Sequence, residues 1–202
     1  CPPDKKLKEK YFNMAQEICM QEKVEHMMQF VSVDAWGKRA EYIRNGLDFN
    51  YMMDNVEEFL ERIPGRNSIT FICTYNNLSI TSMDKLLEKV LELRAKYSTT
   101  YQRIWFDVPL LRQPAWQQIT LLPESYQMIH EDNIEYMQKH CGNDRGYSKF
   151  NDFEIQKMQR NLAYWRENAD ASTQNKKNFY AFFNEHDRRR LTRFLNTFPE
   201  ME

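Results

Sequence analysis

The chain contains no apolar run near the roughly 20 residues that a membrane-spanning helix needs. Its opening, CPPDKKLKEK, lacks the apolar stretch of a secretory signal. Charge imbalance is also missing: 28 Lys and Arg stand against 29 Asp and Glu, a net charge of −1, so no global field recruits nucleic acid or an anionic membrane. Partner choice then rests on local chemistry. The cysteines, at 1, 19, 73 and 141, are too far apart for a chelating pair of the C-x-x-C kind, and His26, His130, His140 and His186 lack the spacing of a zinc helix or finger. The expectation is free thiols in a reducing cytoplasm, with Cys19 and Cys73 acting as small hydrophobes. No glycine loop is present to cradle a phosphate. A start at Cys1-Pro2-Pro3, without Met, reads as a fragment of a longer protein.

What the chain does have is enough for one core. Its 202 residues, 42% hydrophobic and 28% charged, suit a single globular domain with room for a small appendage. Leu7, Tyr11, Met14, Ile18 and Cys19 form a helical stripe over residues 4–22, with Asp4 placed to cap it. Phe30, Val31 and Val33 predict a strand from about Met27 to Asp34, and Gly37 marks its exit. Met52, Met53, Val56, Phe59, Leu60 and Ile63 predict a helix stopped by Pro64-Gly65. SITFICTYN, residues 68–76, reads as a strand buried on both faces. Thr81-Ser82-Met83-Asp84 offers a capping box for a helix bearing Met83, Leu86, Leu87, Val90, Leu91 and Leu93. RIWFDV, 103–108, is a third strand, and a helix is expected over 124–140.

This alternation predicts an α/β fold: a (βα)3 unit with a parallel sheet and right-handed crossovers, either half a barrel or a slice of an open sheet. It occupies residues 1–141. From 142 to 202 a helical extension follows, with helices near 152–167 and 178–196. The second carries Phe179, Phe182, Phe183, Leu191, Phe194 and Leu195 as a stripe to pack on the domain.

Polar residues gather where such a fold binds ligands, at the carboxyl ends of the strands. Ser32 and Asp34 close the first strand, where a buried strand would avoid an acid; Thr74 and Asn76 close the second, and Asp107 the third. A carboxylate there can accept two hydrogen bonds from a vicinal diol beside a serine hydroxyl, which is ribose chemistry. The competing role for Asp34 is a cap or loop anchor, and for Asp107 a turn anchor. Arg39 and Arg44 follow. Arg39 reads as a surface arginine paired with Glu41 or Asp48, whereas Arg44 suits a carboxylate or phosphate.

SVDAWGKRAEYIRNGLDF, with DNVEEFL, ITFICTYNNLSI, RIWFDVPLLRQPAWQ and FNEHDRRRLTRFLNTFPE, resembles the carboxyl-terminal half of radical S-adenosylmethionine enzymes of the SPASM/twitch-associated type. The likeness runs from about residue 24 to the end and is strongest in S-x-D-A-x-G-x-R-x-E-Y-I-R. It implies a partial TIM-like barrel of six strands, of which this chain holds the last three. It also implies that Ser32 and Asp34 meet the ribose of S-adenosylmethionine, that Arg44 meets the methionyl carboxylate, that Thr74 and Asn76 lie near the adenosine, and that the segment Val108 to Leu111, with Val108 and Leu110, flanks the adenine. Family chemistry adds a 4Fe-4S cluster and hydrogen abstraction by a 5′-deoxyadenosyl radical. The C-x-x-x-C-x-x-C cluster loop is absent, however, so the chain alone is expected to be inactive and to need the missing amino-terminal half as partner. The substrate would be an unknown peptide or small molecule. A second reading, from another class, is a noncatalytic degenerate barrel that binds a protein or peptide through its aromatic helices. In either case the edge of the first strand is an association hazard.

Overall fold

The computed structural model describes residues 4–142 and 147–201; Cys1, expected as a free thiol, lies outside them. The fold is α/β. Helix α1 (Lys5–Met20) begins at Asp4, whose side chain accepts from the amides of Lys6 and Leu7. It turns Phe12 and Ala15 into the core and leaves Leu7 and Met14 exposed, so its buried stripe is rotated from the expected one. Strand β1 (Met28–Ser32) leads to a short helix α2 (Lys38–Ile43), absent from the sequence reading, and then to α3 (Phe49–Arg62), capped by Asp48 through the Tyr51 amide. Strand β2 (Ser68–Ile72), α4 (Met83–Tyr97) and β3 (Ile104–Asp107) complete the alternation. The expected capping box does not form. Ser82 has no capping bond to α4, and its hydroxyl instead accepts from the Trp36 amide at 3.0 Å.

The three strands are parallel and lie in chain order, β1-β2-β3, with Phe30, Thr70 and Trp105 in register across the sheet. Ile69, Phe71, Ile104 and Phe106 point to the side packed by Val56, Phe59 and Leu60 of α3 and by Leu86, Leu87 and Val90 of α4. The other face is uncovered at its edges: Phe30 is 56% and Trp105 40% exposed. Helices thus clothe one side of the sheet only. Burying each large apolar side chain on that side contributes roughly 1.5–3 kcal/mol, which is what holds so small a sheet together.

Helices α5 (Gln127–Lys139) and α6 (Asp152–Glu167) pack on this core through Ile134, Met137, Ile155, Met158 and Trp165. Asn151 and Glu154 form a reciprocal cap at the start of α6. Glu154 also meets Arg94 of α4 through two bonds, 2.5 and 3.1 Å, in a fully enclosed ion pair. Tyr75 and His130 form a second buried tie, hydroxyl to Nδ1 at 2.5 Å, while His130 Nε2 donates to the Met158 carbonyl. The stretch expected as one helix over 178–196 is α7 (Thr173–Arg190) followed by a four-residue α8 (Phe194–Thr197). The break is Leu191, at φ 54°. Phe179, Phe183 and Phe194 pack with Tyr42, Leu78 and Phe198 in a satellite cluster, whereas Phe182, Leu191 and Leu195 stay exposed. Among the described residues, no helix is long and apolar enough to cross a membrane.

Candidate functional site

After the Val33 amide makes the last ladder bond of β1, to the Ile72 carbonyl at 3.0 Å, the chain leaves the sheet and buries Asp34 to 7% exposure. Gly37, at φ 59°, permits the turn into α2. That helix is just long enough to bring Arg44 back over the strand end. Arg44 Nε donates to Asp34 Oδ2 at 2.8 Å, and Asp34 Oδ1 accepts from the Thr74 amide at 3.3 Å. One carboxylate therefore joins the end of β1, the segment after β2 and the exit of α2. Both its oxygens are already engaged, and each keeps one lone pair for a further donor. Arg44 is half exposed; its two Nη atoms make no hydrogen bond among the described residues.

Ser32 is exposed at the end of β1, with a hydroxyl unbonded among the described residues. Ser32 and Arg44 line one cavity of about 590 Å³, bounded by α1, β1 and α3. Thr74 belongs to the same cluster through its amide. Asn76 is spent on its own loop: its Nδ2 donates to the Thr74 carbonyl at 2.8 Å and its Oδ1 accepts from the Leu78 amide at 2.9 Å. Val108 and Leu110 lie elsewhere, on a separate cavity of about 350 Å³ against α6, with Arg112, Lys157 and Asn161. Asp107 is paired with Lys157 of that helix. Arg39 does not pair with Glu41 or Asp48. It reaches Glu200 near the carboxyl terminus and the Thr81 carbonyl, and Lys38 takes Glu41 instead.

The thiols are insulated. Cys73 is fully buried, its Sγ pointing to the Asp34 carbonyl, and burial first and the Asp34 charge second push its ionisation far above the ordinary range. Burial also raises Cys19 and Cys141. They stand in different places, Cys19 by Met27 and Asn67, Cys141 by Asp152. Among the described residues, no three His, Cys, Asp or Glu side chains are placed to hold a metal. The three described thiols, each in separate surroundings, therefore do not fit an iron-sulfur cluster.

One side chain of interest escaped the sequence reading. Asn55, on the inward face of α3 with Met52 and Phe59, is 4% exposed, lines the 590 Å³ cavity, and has neither carboxamide atom bonded among the described residues. Its signal was present in the sequence: an amide three residues after Met52 and four before Phe59 falls inside an apolar stripe. Comparison of the chain with protein-family models, with curated proteins and with solved structures found no match.

Proposed function

We propose that this chain is the carboxyl-terminal half of a radical S-adenosylmethionine enzyme and supplies the nucleoside side of its S-adenosylmethionine site. The observation that carries the reading is Arg44, held by Asp34 at 2.8 Å with its outer nitrogens unspent, beside the open Ser32 hydroxyl at the carboxyl end of a parallel strand. A guanidinium so fixed keeps a planar donor pair for one carboxylate, and the methionyl group of S-adenosylmethionine offers one. Ser32 then takes a ribose hydroxyl, with the remaining Asp34 lone pairs as further acceptors. Thr74 anchors Asp34 through its amide and Asn76 shapes the loop that presents Thr74; Val108 and Leu110, expected beside the adenine, line the separate cavity against α6.

The winding supports the barrel half of this reading. Strands in chain order, with helices on one face, continue naturally into a closed barrel, whereas a doubly wound sheet reverses direction and clothes both faces. The face of Phe30, Thr70 and Trp105, open at Phe30 and Trp105 with Thr70 buried between them, becomes the barrel interior. The 4Fe-4S cluster, which the three described thiols do not fit, belongs to the amino-terminal half, and hydrogen abstraction from the substrate requires that half. Nuclear magnetic resonance titration of this chain with millimolar S-adenosylmethionine tests the proposal. Saturable shifts at Ser32, Arg44 and Thr74 support it; shifts at none of the three contradict it.

A further inference from the structure

A cavity of about 310 Å³ lies where the helical extension meets the loops of the (βα)3 unit, and it shares no residue with the 590 or the 350 Å³ cavity. Three stretches of chain wall it. Leu121, Leu122 and Tyr126 come from the segment before α5, Phe179 and Tyr180 from α7, and Met201 from the carboxyl end. The Tyr126 hydroxyl donates to the Glu200 carbonyl, which fixes that ring against the cavity. Asn77 lines it as well and is 1% exposed. Its Nδ2 donates to the Trp116 carbonyl at 3.1 Å, but its Oδ1 has no partner among the described residues. Two charged side chains complete the lining, Lys176 and Glu200. Glu200 is spent on Arg39 at 3.0 Å, whereas the exposed Lys176 ammonium makes no hydrogen bond or ion pair among the described residues.

We propose that this cavity binds a small, flat heteroaromatic acid, whose ring N–H donates to Asn77 Oδ1 and whose carboxylate meets Lys176. Each part of the ligand answers a feature of the lining. A buried acceptor left alone is costly, and a donor on the ligand removes that cost. A water would serve the oxygen but leave Leu121, Leu122 and Phe179 wetted; a ring with a donor on its edge serves both. Tyr126, Phe179 and Tyr180 suit a ring in particular, since aromatic side chains gain from stacked or edge-to-face contact. The volume is close to the lower limit of about 300 Å³ for ligand sites, so one or two fused rings fit and a dinucleotide does not. A single unpaired ammonium matches the single charge of a carboxylate better than a phosphate dianion. Lys176, Phe179 and Tyr180 stand at i, i+3 and i+4 of α7, so one helix face presents the charge beside the rings. None of Ser32, Asp34 and Arg44 takes part, and the assignment holds whatever the rim of the sheet binds.

The test titrates indole-3-acetate, at up to millimolar concentration, into the whole chain and follows the amide resonances. Saturable shifts are expected at Asn77, Leu122, Lys176 and Tyr180, with Ser32 and Arg44 unmoved. Two comparisons isolate the two polar contacts. Benzofuran-3-acetate, which puts a ring oxygen where indole has its N–H, keeps the shape and should bind about tenfold or more weakly. Lys176→Met, a change at an exposed position that should leave the melting temperature where it was, should lower the preference for indole-3-acetate over the neutral indole-3-acetamide by about threefold. Absence of saturable shifts at the four residues, equal binding of the benzofuran, or an unchanged acid-to-amide preference in Lys176→Met overturns the proposal.

Discussion

Asp34 and Arg44, ten residues apart in the chain, are locked side chain to side chain at 2.8 Å across the end of β1. The carboxylate is nearly enclosed and the guanidinium half open. The asymmetry matters. The acid is taken from water only because two donors meet it, and the base it fixes keeps a face for solvent or ligand. An acid that looked misplaced at the end of a strand is, in the fold, the piece that aims an arginine.

The Arg94–Glu154 pair should dominate the stability of the junction between α4 and α6. Both side chains are enclosed, and Glu154 also closes the cap of α6. Removing one partner leaves the other charged and buried, which costs about 3–5 kcal/mol. Glu154→Gln should therefore lower the urea midpoint strongly, and Arg94→Met with Glu154→Met should recover much of the loss. A single variant with an unchanged midpoint would mean the pair contributes nothing.

His130 makes stability depend on pH. Burial is the main cause that lowers its pKa from 6.5 to about 4, opposed by its bond to the Met158 carbonyl. The unfolded chain binds the extra proton between those values, so stability rises with pH across the window, is complete above about 6.5, and is lost as pH falls toward 4. The size is on the order of 3 kcal/mol. Urea midpoints measured from pH 4.5 to 7 should climb less steeply in His130→Gln than in the parent. Identical slopes would remove His130 from the account.

Leu191 holds a left-handed conformation at φ 54° while 94% exposed, so its side chain packs on little that could offset the strain. Leu191→Gly should stabilise the protein by about 0.5–1 kcal/mol, read as a higher melting temperature. A lower one would mean that the leucine makes a contact worth more than the backbone relief.

The thiols should not assemble a cluster by themselves. Anaerobic reconstitution of this chain with iron and sulfide is expected to give no stoichiometric thiolate charge-transfer absorption near about 400 nm. A full cluster per chain would show that ligands can be gathered from Cys1, Cys19, Cys73 and Cys141 despite their wide separation in the sequence.

The alternation of strands and helices was legible because burial imposes a period on the residues that carry it, as in SITFI for β2 and Met53, Val56, Phe59 and Leu60 for α3. Helix α2 was not. Six residues have too few turns to show a stripe, and its stability comes from burying Ala40 and Tyr42. Ser82 carried a local capping signal, but a partner 46 residues away in sequence, the Trp36 amide, won its hydroxyl. Arg39 likewise chose Glu200, a choice no local pattern encodes. The end of α7 at Leu191 has no glycine to announce it. At the rim, the sequence marked Ser32, Asp34, Thr74, Asn76 and Asp107 as polar strand-end residues, with Arg44 in the segment that follows the first strand. That Asp34 would spend itself on Arg44 and Thr74, and that Val108 and Leu110 would face another cavity, depended on loop paths that periodicity does not describe.

A carboxylate-reading Arg44 beside a ribose-reading Ser32 can be checked by a double comparison. S-adenosylmethionine and 5′-methylthioadenosine, which lacks the methionyl carboxylate, are titrated into the parent chain and into Arg44→Lys. The parent should prefer S-adenosylmethionine by about tenfold, and Arg44→Lys should lose most of that preference while binding 5′-methylthioadenosine as before. A preference of the same size in both proteins would contradict the role given to Arg44 and the site built around it.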